Sequence, residues 1–147
     1  MENRPLLLVE DSEEDFEVTC WALNKIEFNR TIIRAKNAEE ALLYLFPAQK
    51  EDGLPGLMLL DLNLQGMSGK QLLQELRRGE SPLPVPVVIL STSSNPGDVN
   101  DCYSLGAAGY LTKPLGLELY VEKLRDLTHY WFNVVTLPVQ NYRLPKS

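Results

Sequence analysis

The sequence predicts an α/β fold, an open parallel sheet of five strands with helices on both faces. Two observations carry it. Short apolar runs alternate strictly with amphipathic stretches, the order that right-handed β-α-β crossovers produce. Three of the runs, "LLLV", "LMLL" and "VVIL", are apolar at every position, as strands covered on both faces are. At 147 residues the chain has the length of one domain. That is enough to bury a core without disulfides or structural metal.

The first strand is read at Leu6–Val9. A helix follows over Glu14–Lys25, with Ser12 as its N-cap and Glu13, Glu14 and Asp15 as favourable charges near its first turn. The second strand spans Thr31–Ala35 and its helix Ala38–Leu45. The third strand, Leu57–Leu60, precedes a helix over Gly69–Arg78. The stretch "RRGESPLPVP" is a proline-rich loop. It leads to a fourth strand at Val87–Leu90 and a helix over Asp98–Leu105. The fifth strand is Gly109–Thr112, and a last helix runs from Leu117 to Val135. Residues 1–137 form the domain. Residues 138–147, "PVQNYRLPKS", carry two prolines and no clear period, so they are assigned to a tail or arm.

A formal net charge of −6 makes nucleic acid and anionic membranes poor partners. Cys20 and Cys102 fall in helical segments and read as reduced, structural thiols. The N-terminus lacks a secretory pattern, and no apolar stretch is long enough to span a bilayer. A cytoplasmic protein is the expectation.

In an open parallel sheet the functional crevice lies outside the carboxyl ends of the strands. The residues just past the apolar runs are Glu10 and Asp11, then Asp61 and Asn63, then Ser91 and Thr92, then Lys113 and Pro114. Carboxylates a few Å apart repel by about 3 kcal/mol per pair at an effective dielectric near 20. Loss of charge relieves this, and so does a cation. Carboxylate oxygens, a backbone carbonyl and waters are the set that Mg2+ prefers, and Lys113 supplies a further positive charge. An Asp beside such an ion can act as a nucleophile toward phosphorus. A hydroxyl of Ser91 or Thr92 can then hydrogen-bond the new phosphoryl oxygen.

The stretches "LLLVEDSEED", "LMLLDLNLQGMSGKQLL", "VPVVILSTS" and "SLGAAGYLTKP" together resemble the receiver domains of two-component response regulators. The resemblance covers the chain from Leu6 to about Val135. It implies the flavodoxin-like receiver fold with strand order 2-1-3-4-5. It implies Asp61 as phosphoacceptor, with Asp11 and Asp61 touching Mg2+ directly, Glu10 acting through water and Asn63 giving its carbonyl. Mn2+ or Ca2+ are implied as substitutes. Ser91 matches the hydroxyl that moves toward the phosphoryl group, and Thr92 the position after it. Tyr110 matches an aromatic switch, and Lys113 the partner of the phosphoryl group. The implied donor is a histidine kinase. Gln65 departs from the usual proline and Ser68 from the usual aspartate. Asn63 and Thr92 are expected to slow attack by water on the phosphoaspartate. Within the family, "DLNL", "VVILSTS" and "YWFNVVTLP" are similar to small stand-alone regulators paired with phytochrome histidine kinases.

Other functions fit less well. Phosphatases of the haloacid dehalogenase type carry a second Asp two residues after the nucleophile, where this chain has Asn63. A flavodoxin-like carrier needs a phosphate-cradling first loop, and this loop is acidic. "GMSGKQ" lacks the first glycine and the final Ser/Thr of a P-loop. A degenerate, binding-only receiver would not need the full set of site residues. A signalling protein, not a metabolic enzyme, is expected, with output through protein contacts.

The last helix, about 28 Å long at 1.5 Å per residue, should overhang strands of about 17 Å. Leu117, Val121, Leu124, Thr128, Trp131 and Val135 share one face. Tyr120, Leu127, Tyr130 and Val134 widen it. Phe132 and Leu137 add apolar surface, so a symmetric homodimer through this helix and the tail is expected. The lone His129 reads as a surface or interface residue.

Overall fold

The computed structural model of the chain describes residues 4–46, 54–78 and 83–138. The elements run β1 Leu6–Val9, α1 Glu13–Lys25, β2 Ile32–Ala35, α2 Ala38–Leu45, β3 Leu57–Asp61, α3 Gly69–Leu76, β4 Val87–Ser91, α4 Pro96–Ser104, β5 Gly109–Thr112 and α5 Leu117–His129. A π-helical turn, Tyr130–Val134, continues α5. All strand pairs are parallel, in the order β2-β1-β3-β4-β5, as expected.

The fully apolar strands are explained by two cores. Alternate side chains point to opposite faces. Leu7, Val9, Met58, Leu60, Val87 and Ile89 face one way, onto Ala38 and Ala41 of α2, Leu72 and Leu76 of α3 and Cys102 of α4. Leu6, Leu8, Leu57, Leu59, Val88 and Leu90 face the other way, onto Ala22 and Leu23 of α1 and Tyr120 and Leu124 of α5. Each strand is therefore committed to two layers. The Thr19 and Tyr120 hydroxyls meet at 2.7 Å and join α1 to α5 inside the second core. Cys20 and Cys102 are both free thiols.

Several boundaries differ from the sequence reading. β3 and β4 each extend one residue further, to Asp61 and Ser91, because both pair in the ladder, with Leu90 and Thr112 respectively. The second strand begins at Ile32. α1 starts at Glu13, directly after the Ser12 cap, whose oxygen accepts from the Asp15 N–H at 3.2 Å. α4 starts at Pro96, not Asp98. Proline suits the first helical position, where no amide partner is needed. α3 stops at Leu76, and the Arg77 guanidinium turns away to the carbonyls of Leu83, Val85 and Gly106.

The last helix is also corrected in part. The α-helix ends at His129. Its buried residues are Tyr120, Leu124 and Thr128, while Leu117 is half exposed. Tyr120 thus lies at the centre of the packed face, and Leu117 sits on the wall of a groove with Trp21, Lys25 and Val121. Phe132 is half-buried against Phe28, with ring centroids 5.3 Å apart. A Cβ on Gly56 would lie 2.7 Å from the Phe132 ring, so a side chain there would push the ring aside. Part of the apolar surface expected at the overhang is therefore covered by the chain itself. Tyr130 and Val134 remain exposed. Residues 139–147 of the tail lie outside the described residues. Among the described residues, no helix is long and apolar enough to cross a membrane.

Candidate functional site

The acidic stretch after β1 divides into two parts with different physics. Glu13, Glu14 and Asp15 occupy the first turn of α1, where the helix dipole favours negative charge. Glu10 and Asp11 lie in the connection, facing the end of β3. There Glu10, Asp11 and Asp61 bring one carboxylate oxygen each within 4.8 Å of one another. Glu10 and Asp61 are buried and Asp11 is half-buried. Two neighbouring parallel strands ending at the same level place them so.

Each carboxylate is held by a backbone donor. The Ser12 N–H donates to Glu10 at 3.3 Å, the Asn63 N–H to Asp61 at 3.0 Å, and the Gln65 N–H to Asp11 at 3.1 Å. The Gln65 bond gives physical content to its departure from the receiver pattern. A proline there has no N–H to donate. Lys113, just after β5, lies 3.2 Å from Glu10 and 3.7 Å from Asp15.

The site is electrostatically crowded. Burial pushes the Glu10 carboxyl up, and a hydrogen bond and charge repulsion from Asp61 push it further, to about 7, against the opposing pull of Lys113. Burial alone would lower the Lys113 ammonium, but Asp61, Glu10 and Asp15 outweigh it and hold the group above its ordinary value. The one ammonium does not neutralise the cluster. Three hard oxygen donors with a residual negative charge suit a small divalent cation, so the residues present fit one.

On β4, Ser91 is buried and its hydroxyl accepts from the Ser93 N–H at 3.0 Å. Thr92 and Asn63 are exposed. Tyr110 is half-buried, and its hydroxyl donates to the Ser93 carbonyl at 2.8 Å. The strand-end residues singled out in the sequence thus all lie at one edge of the sheet.

Sequence reasoning missed a second network beside them. Ser93 Oγ donates to Asp98 at 2.7 Å, and Lys70 Nζ reaches Asp98 at 2.9 Å and Asp101 at 3.1 Å. It ties the loop that follows Ser91 to both α3 and α4. Hydrogen bonds from Lys70 and Ser93 hold the Asp98 carboxyl below its usual value. A lysine one residue into α3 gives no sequence signal of a partner some thirty residues on.

Gly69 opens α3 behind a Ser68–Gln71 capping box, so the Ser68 departure supplies the cap. A Cβ on Gly69 would lie 2.8 Å from the Asp61 carbonyl oxygen and 3.0 Å from Leu62 Cα. Both are backbone atoms and cannot swing aside. Gly69→Ala is expected to cost about 1–3 kcal/mol of stability in urea unfolding, because the loop carrying Asp61 must shift.

The chain is similar to known proteins over most of its length. A family model described as the response regulator receiver domain matches residues 6–125. Response regulator Rcp1 of Synechocystis is 34% identical over 135 residues, spanning 90% of this chain and 92% of that protein. The crystal structure of the phosphorylated cyanobacterial phytochrome response regulator RcpA matches with a TM-score of 0.81 at 30% identity, covering 93% of this chain and 99% of that one. The Mn2+-bound form of Rcp1 matches with a TM-score of 0.79 at 32% identity, covering 92% and 99%. The chain belongs to the response regulator receiver domain family.

Proposed function

We propose that the chain accepts a phosphoryl group from a histidine kinase onto Asp61 and signals through protein contacts. The observation that carries this is the meeting of Glu10, Asp11 and Asp61 from separate strand ends, with Lys113 beside them. An Asp61 carboxylate oxygen attacks phosphorus, the phosphorus–nitrogen bond of the donor phosphohistidine breaks, and the imidazole leaves. The product is an acyl phosphate. Asp11, Asp61 and the Asn63 carbonyl would hold Mg2+, with Glu10 supporting it through water, and Mn2+ or Ca2+ would substitute for it. The ion, when bound, neutralises charge on the transferring oxygens. Lys113 then pairs with the phosphoryl group, and Ser91 donates its hydroxyl to it. Thr92, exposed at the mouth, limits access of water.

Movement of Ser91 disturbs the Ser93 N–H that now bonds it, and Ser93 also holds Tyr110 and Asp98. Tyr110 is thereby coupled to the site, as a two-state switch biased by local charge. The kinase is proposed to be a phytochrome, from the likeness to Rcp1 and RcpA. Exposed Tyr130 and Val134, with the tail, are proposed to form a homodimer. A monomer mass at micromolar concentration would count against that interface.

The test is incubation with Mg2+ and acetyl phosphate. The expected product carries one phosphoryl group, stable in acid and labile in base. A chain that stays unlabelled by acetyl phosphate and by a kinase is a binding-only receiver. Rapid turnover of many phosphate esters would instead mark a phosphatase.

A further inference from the structure

We propose that Arg34 is a positioning residue for the acidic site, fixing the Glu10–Asp11 peptide so that the Asp11 carboxylate stays within the cluster. The inference rests on the reading of that cluster as a divalent-cation seat. Arg34 is the charged residue of β2, in "IIRA", and its side chain is only 14% exposed. Nε and Nη2 both donate to the Glu10 carbonyl, at 3.3 and 3.2 Å. Nη1 donates to Glu13 at 2.7 Å, and the guanidinium lies 4.2 Å from the Phe16 ring centroid. The planar fork is thus held by a carbonyl, a carboxylate and an aromatic face.

The consequence follows from backbone geometry. The Glu10 N–H is already fixed to the Ala35 carbonyl at 3.0 Å, at the end of the β1–β2 ladder. With its carbonyl also held, the ψ angle of Glu10 is restricted, and ψ sets where Asp11 starts. Asp11 needs this more than the other two acids. It is the least buried of the three, and its carboxylate is steadied by the Gln65 N–H. Ligand oxygens must be held to within about 0.5 Å for full effect. Supporting contacts of this kind typically contribute 10- to 100-fold in metal affinity.

The guanidinium also carries a positive charge, which by itself opposes a cation. The two effects have opposite signs, so the direction of change separates them. If Arg34 acts by position, its loss weakens Mg2+ binding. If charge alone matters, its loss tightens binding. Lysine keeps the charge but not the two-pronged donor.

The experiment is calorimetric Mg2+ titration of the full chain as wild type, Arg34→Ala and Arg34→Lys, beside the Mg2+ dependence of acetyl phosphate labelling. Both variants are expected to bind Mg2+ about 10-fold more weakly. Their labelling rates at saturating Mg2+ should stay within about two-fold of wild type, because Arg34 touches no reacting atom. Wild-type or tighter affinity in Arg34→Ala overturns the proposal, and so does wild-type affinity in Arg34→Lys. Circular dichroism checks folding. Should Arg34→Ala not fold, Arg34→Lys, which keeps the charge and an aliphatic stem, decides alone. A wild type that takes up no Mg2+ sinks the reading of the cluster itself, an outcome distinct from variants that bind as wild type does.

Discussion

Asp61→Asn is expected to abolish phosphoryl incorporation and, without metal, to make the folded chain more stable at neutral pH. The loss is chemical. A carboxamide oxygen is a poor nucleophile and cannot form the acyl phosphate. The gain is electrostatic. Asp61 sits buried beside Glu10, with Asp11 close by, and pushes the Glu10 carboxyl upward. Removing its charge relieves about 3 kcal/mol of repulsion per ionised carboxylate neighbour at an effective dielectric near 20, offset in part by the lost attraction to Lys113. The amide oxygen still accepts the Asn63 N–H that Asp61 accepts at 3.0 Å, so little structure is lost. Labelling by acetyl phosphate and urea unfolding, both at neutral pH, check the two halves. A labelled Asp61→Asn protein would place the acceptor elsewhere. A less stable one would mean that the cluster is not repulsive. Stability opposed to activity is common where like charges are gathered for function.

The second large effect is a stability that falls as pH rises. Burial and the neighbouring Asp61 push the Glu10 carboxyl up to about 7 in the folded chain, from an ordinary 4.5. Between those values the folded state binds more protons than the unfolded one. Its contribution is therefore fully present below pH 4.5 and is lost as pH climbs to about 7. The shift corresponds to about 3 kcal/mol. Glu13 and Asp98, both held low by cationic or hydroxyl partners, act in the opposite sense and at lower pH, so the windows separate. Urea unfolding in chelator at a series of pH values reads the slope, and Glu10→Gln flattens it. Saturating Mg2+, which binds the ionised form, removes or reverses it. A wild-type stability unchanged from pH 5 to 7 in chelator would contradict the crowding described here.

How legible these features were depends on the length scale of each. β1 and β5 were readable to the residue, because fully apolar or alternating runs leave few alternatives. Glu10, Asp11, Asp61 and Lys113 were readable because strand ends in a parallel sheet share one edge. What the sequence hides is contact between distant segments. "IIRA" shows an arginine in a strand, but the β1–β2 register, with Leu8 opposite Arg34, decides that its fork meets the Glu10 carbonyl. A charged residue inside an otherwise apolar strand was the available signal. The Lys70–Asp98–Ser93 network depends in the same way on how α3 and α4 approach. Leu117 was misplaced because helical periodicity gives an angle around the axis and not where packing begins. That the helical turn at Tyr130–Val134 is π rather than α left no sequence pattern.

Phosphorylation of Asp61 requires that Glu10, Asp11 and Asp61 share one ion, and a calorimetric Mg2+ titration at neutral pH addresses that head-on. Saturable uptake of a single Mg2+ per chain is expected, and it should vanish in Asp11→Asn. No detectable uptake by the wild type, or undiminished uptake by Asp11→Asn, would contradict it.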